Sequence, residues 1–509
     1  MRGFKCVLSV SAVFILAACG GGGGGGGGDD PPAPPAQNAR PTVNAGSDAT
    51  ATLPSATVAL TGSATDDGPA ASLTYQWSAS PATGVTFSAP AAAAGNVTFT
   101  TAGTYTLTLT VSDGTQTGTD TLSVVVSGAP VAEQVWPAND DDSDPVFHGW
   151  AKVDASTVGM TQGGLDDAQR YATTIPAGNI APGTTVDPGN GMIVRHGKLV
   201  HFWGDIDVRK EMKSVTKSMG STVLGLALDE SKVTLTGKGI DYMPTFGTPP
   251  AGNAANAQLI TLAQLATHTS GFEKPDGTAT ALTAIIQATP GTQWTYSDAG
   301  LNWLADVLTT VYQQDLAVLA NQRVWSVLGL SGGATNGDDV RWRVNEQRPP
   351  TRDGGTLQHR ELASGLFANA NAMARVGLLF LRKGDWNGTR VLSEAFITRV
   401  QTPLPENAGL PLVPQRPSER YPNAQTDYGI LWWTNKSKTM PNVPADAFWA
   451  WGLGEELIVV IPSLNLVIAR NGGQATASSA GRTWNDRDWD GDVAVLEGFL
   501  NPIVAATTP

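Results

Sequence analysis

The sequence predicts a multidomain chain, an N-terminal all-β sandwich followed by a larger α+β domain. Three observations predict it. The chain has 509 residues, too many for one ordinary domain. Residues 41–127 are rich in Thr, Ser, Ala and Val, with few charges and short alternating runs between turn residues. From about residue 150 onward, helical and strand-like segments alternate to the end.

The N-terminus reads as an export signal over residues 1–18. Arg2 and Lys5 supply its positive start, and "VLSVSAVFILAA" is an apolar run too short to span a bilayer. "LAAC" resembles a bacterial lipobox, which implies cleavage before Cys19 and lipid attachment to its thiol. Gly20 in place of Asp then implies the outer membrane. Cys6 and Cys19 are the two cysteines of the chain, so the mature protein is expected to carry no disulfide. Residues 19–40, an unbroken glycine run followed by "DDPPAPPAQNARP", form a flexible and then extended tether.

In residues 41–127, "YTLTLTVSDG" alternates with period two, as a half-buried strand does. "SLTYQWSAS", "GNVTFTT" and "DTLSVVVS" read the same way. Several strands in so short a span predict a β-sandwich. "AGTYTLTLTVSDG" together with "LTYQWS" resembles a PKD-type, immunoglobulin-like module, and a spacer role is implied. Residues 128–149 read as an acidic linker. Its Asp140, Asp141, Asp142 and Asp144 are taken as a solvated charge run rather than a calcium site.

In residues 150–509, "GMIVRHGKLVHFWG" predicts a hairpin turned at His196 and Gly197, followed directly by a helix. "LAQLATHTSGF" predicts a helix stopped at Gly271, and "LNWLADVLTTVYQQDLAVLANQRVWSVLGL" a long helical pair. "ELIVVIPSLNLVIAR" predicts two strands turned at "PSLN". Strands at both ends with helices between them predict a sheet that joins the two ends of this domain.

Lys+Arg number 32 against 45 Asp+Glu, and no basic stripe stands out, which argues against nucleic acid as a partner. The 15 Trp are read as core aromatics in preference to a sugar-binding surface.

"EMKSVTKSMGSTVLGLALDE", residues 211–230, predicts an amphipathic helix with chemistry at its start. Ser214 and Lys217 are three apart and share one face. Burial lowers a lysine's pKa because the charged form loses hydration, and a neutral Lys217 can deprotonate Ser214. A helix N-terminus offers N–H groups to an oxyanion. Downstream, "PGTQWTYSDAGLNWLADVL" places Tyr296 and Asp298 in a polar turn before a helix, where a phenol can relay a proton.

"SVTK", "LAQLATHTSG", "PGTQWTYSDAGLNWLADVL", "ASGLFANANAMARVGLLFLRKGDWNGTRVLS" and "AWGLGEELIVVIPSLNLVIARNG" occur in order. Residues 150–505 thereby resemble the serine hydrolases of the class C β-lactamase and penicillin-binding-protein fold, above all the esterase and 6-aminohexanoate-oligomer hydrolase branches. The resemblance implies an antiparallel sheet flanked by helices, plus a helical region. It also implies Ser214 as nucleophile, Lys217 as its base and Tyr296 as the proton shuttle, with no cofactor.

Two positions depart from the family pattern. Its Tyr-x-Asn is here "YSD", so Asp298 adds a negative charge that opposes a neutral Lys217. The place of its Lys-Thr-Gly falls at "FWAWGLG", which has no cation to hold an antibiotic carboxylate. Asp298, Ala450, Trp451 and Gly452 are assigned to the substrate and oxyanion side, with a backbone N–H donor near Ala450 or Trp451. Trp449 and Trp451 make the wall apolar.

The expected function is a surface-anchored hydrolase of small ester or amide substrates, tied to the membrane by its lipid. The alternatives are a β-lactamase or D,D-peptidase, and a catalytically inactive binding protein. "DRDWDGDVAVLE", residues 486–497, fits the calcium-loop spacing through Asp486, Asp488, Asp490, Gly491 and Glu497. No helix precedes it, so it is read as an acidic loop capping the helix "VAVLEGFLNPIVAA", and no metal is assigned.

Overall fold

A computed structural model describes residues 38–53, 56–68, 72–127, 135–138, 147–173, 189–247, 254–274, 284–333, 339–346, 356–414, 421, 423–472 and 493–507. Cys19, residues 20–37 of the tether, the acidic run 139–146 and residues 486–492 lie outside them. The chain divides into two compact units, residues 1–130 and 131–509.

The smaller unit is all β. One sheet runs Ala49–Thr52, Thr117–Ser127, Gly103–Ser112, Thr74–Ser80, and a second runs Ala56–Thr61, Ala94–Phe99, Val85–Phe87. The alternation in Gly103–Ser112 sends Tyr105, Leu107, Leu109 and Val111 into the core and the intervening threonines outward. Trp77 and Val97 fill the space between the sheets. The Tyr105 hydroxyl donates to the Thr101 carbonyl at 2.9 Å, a tether typical of immunoglobulin-like sandwiches.

In the larger unit we label, in chain order, α1 (Gln162–Thr173), β1 (Asn190–Arg195), β2 (Lys198–Trp203), α2 (Val215–Asp229), α3 (Asp298–Tyr312), α4 (Ala370–Leu381), β3 (Trp433–Thr434), β4 (Phe448–Gly452), β5 (Glu456–Ile461), β6 (Leu466–Asn471) and α5 (Val493–Ala506). The sheet order is β2-β1-β6-β5-β4-β3, antiparallel throughout. The hairpin turned at His196 and Gly197 thus pairs with the strands nearest the C-terminus. Both faces of the sheet are covered. Ala450, Ile458, Val460, Val467 and Ala469 share a core with α2 and α4, while Trp449, Trp451, Val459 and Ile468 share one with α1 and α5. This two-sided burial explains why "ELIVVI" and "LVIA" read as continuous apolar runs.

Four local expectations change. The helix expected from residue 211 starts at Val215, because Lys210–Glu211 is a strand paired with Leu366–Ala368. α2 is not amphipathic: Val215 to Ala227 are all buried, since other elements surround it. The helix expected to stop at Gly271 spans Leu262–Ala266, and the chain then turns through His268 at φ 60°. Trp136 and Phe147, read as linker, pack against the larger unit's core, because burying the apolar surface of an aromatic ring is favourable.

Candidate active site

Ser214 stands at the N-cap of α2. The Lys217 Nζ donates to Ser214 Oγ at 2.9 Å and to the Ala363 carbonyl at 2.6 Å, and it stands 2.8 Å from Asp298 Oδ1. Lys217 is 1% exposed. Burial pushes its ammonium below the ordinary lysine range, and the Asp298 carboxylate works against that shift. At Asp298, desolvation pushes upward, but Lys217 and then Lys274 outweigh it and hold the carboxyl below its usual range. Its side chain is 37% exposed, so it keeps contact with water as an ionised group.

The other hydroxyls of the opening stretch are engaged elsewhere. Ser218 Oγ donates to the Leu431 carbonyl, and Ser221 Oγ to the Ser218 carbonyl. Thr216 Oγ1 accepts from the Leu366 amide.

Tyr296 is brought beside this pair by the turn ahead of α3. The ammonium groups of Lys217 and Lys274 each stand 4.9 Å from its ring centroid. His268 clamps the turn on both sides of the tyrosine: its carbonyl accepts from the Thr295 amide and its Nδ1 from the Ser297 amide at 3.0 Å. The imidazole stacks on Tyr296 at 4.3 Å. Burial, with Lys217 and Lys274 nearby, pushes His268 well below its ordinary pKa, so it is neutral with its proton on Nε2. Ser297 caps α3 by accepting from the Gly300 amide and donates to the Glu273 carbonyl, which ties the "TSGFEK" segment to the tyrosine turn.

β4 forms the opposite side. The β3–β4 ladder ends at Trp433 opposite Trp449, so Ala450, Trp451 and Gly452 are laddered to β5 alone. Gly452 abuts the nucleophile's own turn: a Cβ there would fall 2.5 Å from the Met212 carbonyl and 3.2 Å from the Val215 amide. Ala450 is fully buried toward α2, and Trp451 faces the other way. Trp433, Trp449, Trp451 and Tyr421, with Asp427, Thr439 and Val493, line a narrow cleft. Tyr421 also stacks on Tyr296 at 5.2 Å, so this aromatic wall adjoins the site.

Sequence reasoning singled out Ser214, Lys217, Tyr296 and Asp298, and the fold brings all four together. It did not single out the Ala363 carbonyl, Lys274, Tyr421 or the role of His268. His268 lay within a quoted motif, and its neighbours Thr-Ser-Gly were the signal. Ala363 acts through its backbone and has no signal in its side chain. Glu497 lies on α5, but the rest of the candidate calcium loop's ligands lie outside the described residues.

The "Beta-lactamase" family model matches residues 187–486, and the "K319L-like, PKD domain" model matches residues 45–126. Over 228 residues the chain is 27% identical to the D-alanyl-D-alanine-carboxypeptidase/endopeptidase AmpH of Escherichia coli K12, covering 41% of this chain and 52% of that protein. The chain therefore spans about half the length of that relative. Among solved structures, a putative 6-aminohexanoate-dimer hydrolase from Bacillus anthracis superposes with a TM-score of 0.50 at 16% identity, covering 73% of this chain and 91% of that one. A putative β-lactamase from Bacteroides dorei gives 0.47 at 14% identity, with 62% and 93% covered. The 6-aminohexanoate-dimer hydrolase shares the fold, and the family model spans more than half of the residues, including the Ser214–Lys217 pair and the strand that faces it. On that ground the chain belongs to the β-lactamase family of serine hydrolases, carried behind an N-terminal PKD-like domain.

Proposed function

We propose that this protein cleaves small ester or amide substrates through an acyl-enzyme on Ser214. The observation that carries the reading is the 2.9 Å contact between Lys217 Nζ and Ser214 Oγ inside a buried site. When Lys217 is neutral, the same contact runs in reverse: Ser214 donates and Lys217 accepts. The Ser214 Oγ attacks the substrate carbonyl carbon as its proton passes to Lys217. The oxyanion forms at the start of α2, where backbone N–H groups point outward, with the edge of β4 at Ala450, Trp451 and Gly452 facing it. As the tetrahedral intermediate collapses, the C–O or C–N bond breaks and the leaving group takes a proton by way of Tyr296. Water then attacks the acyl carbon as its proton passes to Lys217; the C–Oγ bond breaks, the acid leaves, and Ser214 Oγ takes the proton back from Lys217.

The aromatic wall beside Tyr296 and the lack of a cation on β4 favour neutral substrates over penicillins. The lipid-anchor reading of Cys19 places the reaction at the cell envelope, with the PKD-like unit as spacer. The decisive test is labelling with a fluorophosphonate. Ser214 is expected to carry the label, and Ser214→Ala to lose both label and turnover of short-chain p-nitrophenyl esters. Persistent labelling in Ser214→Ala, or penicillins turned over faster than the esters, overturns the reading.

A further inference from the structure

Three oxygens surround the Lys217 Nζ: the Ala363 carbonyl at 2.6 Å, Asp298 Oδ1 at 2.8 Å and Ser214 Oγ at 2.9 Å. The carbonyl and the ionised carboxylate can only accept, so Ser214 is the one of the three with a proton to give. A neutral amine has two N–H bonds and one lone pair. With both acceptors in place its N–H bonds turn to them, and the lone pair is left facing Ser214. Rotation about the Cε–Nζ bond is easy. A carbonyl displaced from this position would therefore free the amine to donate to Ser214 rather than accept from it.

A side chain on another element holds that carbonyl. Ala363 sits in a buried turn, where Leu362 is 1% and Ala363 3% exposed. The Leu362 amide donates to Asn302 Oδ1 at 3.0 Å, and the Ala363 amide donates to the same oxygen at 3.3 Å. Asn302 lies on α3, four residues after Asp298, and so shares a face with it. One helix thus offers a carboxylate to Lys217 directly and, one turn further on, an amide to the backbone that carries the other acceptor.

We propose that Asn302 is a positioning residue for the reaction: by gripping the amides of Leu362 and Ala363 it fixes the Ala363 carbonyl on Lys217, and so aims the base at Ser214. The inference rests on the reading of Ser214 and Lys217 as nucleophile and base.

The turn has other fastenings, and they lie to either side. The Trp342 Nε1 donates to the Glu361 carbonyl at 2.7 Å, and the Leu366 amide to Thr216 Oγ1 at 3.0 Å. Asn302 grips the residue that bears the carbonyl itself. Without its oxygen, two amides in a buried stretch lose their acceptor, which costs about 1–3 kcal/mol each if none replaces it. The turn then relaxes toward another acceptor or toward water, and the carbonyl moves with it.

The test is the rate at which a fluorophosphonate labels the full-length protein, read together with the fraction labelled at completion. Rates are compared on the alkaline plateau of each variant, where Lys217 is neutral, so a shifted lysine pKa does not enter. Asn302→Ala removes the acceptor, and the rate per labelled site is expected to fall about tenfold, part of the roughly 10²–10⁴ that a positioned general base contributes. Asn302→Ser draws the oxygen back by one bond and is expected to fall likewise, should the alanine variant not fold. Asn302→Asp keeps an acceptor at the same reach and is expected to stay within about threefold of wild type. A merely structural role would lower the labelled fraction and leave the rate per site unchanged. That result overturns the proposal, as does an Asn302→Asp variant as slow as Asn302→Ala. Ser214 labelled at the wild-type rate in every variant removes Asn302 alone, whereas label at another residue removes the mechanism beneath it.

Discussion

A Cβ on Gly452 would lie 2.5 Å from the carbonyl oxygen of Met212, two residues before the nucleophile. Backbone on one side and strand on the other leave no flexible side chain to give way. The close approach of β4 to the Ser214 turn therefore depends on this glycine. Gly452→Ala is expected to push the strand off the turn and lower kcat/KM by about a hundredfold, the usual cost of a displacement near 1 Å at a reacting centre. Far-UV circular dichroism should be unchanged. Wild-type kinetics in this variant would show that β4 does not serve the oxyanion.

Asp298 favours the charged form of Lys217 and so opposes its use as a base. Lys217 accepts the Ser214 proton when neutral, so activity rises as pH passes upward through its pKa. Removing the carboxylate lowers that pKa further. Asp298→Asn is thus expected to move the rise in kcat/KM to lower pH by about one unit, with Ser214 still labelled. Complete loss of activity would instead make Asp298 a required acid.

Two adjacent carboxyls behind the site predict a pH-dependent stability. Burial raises Glu455 to about 7 and Glu456 to about 8, against the pull of Arg470 on both and of the Gly472 amide and Lys210 on Glu456. The Oε1 of each has no hydrogen-bond partner among the described residues. In the unfolded chain these groups ionise near the ordinary glutamate pKa of about 4.3, so the unfolded state binds fewer protons between that value and the folded one. Their contribution to stability is therefore greatest below pH of about 4 and declines as pH rises toward 8. Glu456→Gln should flatten the fall in Tm across this window, leaving the variant more stable relative to wild type at pH 8 than at pH 5. Parallel Tm curves for the two proteins would remove Glu456 from the account.

The envelope reading of the N-terminus is tested by fractionation. Cys19→Ala removes the thiol that would carry lipid, and the protein is expected to leave the membrane fraction or to accumulate unprocessed. Unchanged partition into membranes would end the lipid-anchor proposal.

Much of this architecture was legible in local pattern. The alternation around Tyr105, the apolar runs of β5 and β6 and the turn at His196 and Gly197 each follow from which side chains must leave water. Ser214 and Lys217 were legible too, because a three-residue spacing on a helix brings them together with no help from the rest of the chain. α2 is buried all round rather than amphipathic because helical periodicity reports only where apolar residues fall around a helix, while its neighbours decide how many of its faces are buried.

The sequence by itself determined the two-part organisation, the Ser214–Lys217 pair and the presence of a carboxylate beside the tyrosine. The tertiary structure alone decided the charge state of that pair and the company it keeps. Lys217 is pushed toward neutrality by burial in the folded core, where its ammonium also reaches the Ala363 carbonyl, 146 residues away in the chain. Lys274 and His268 meet Tyr296 through a loop whose position only the folded core sets. The physical reason is range. Propensity and spacing act within a turn or two of chain, whereas desolvation and Coulomb forces depend on distance in space, which exists only once the chain has folded.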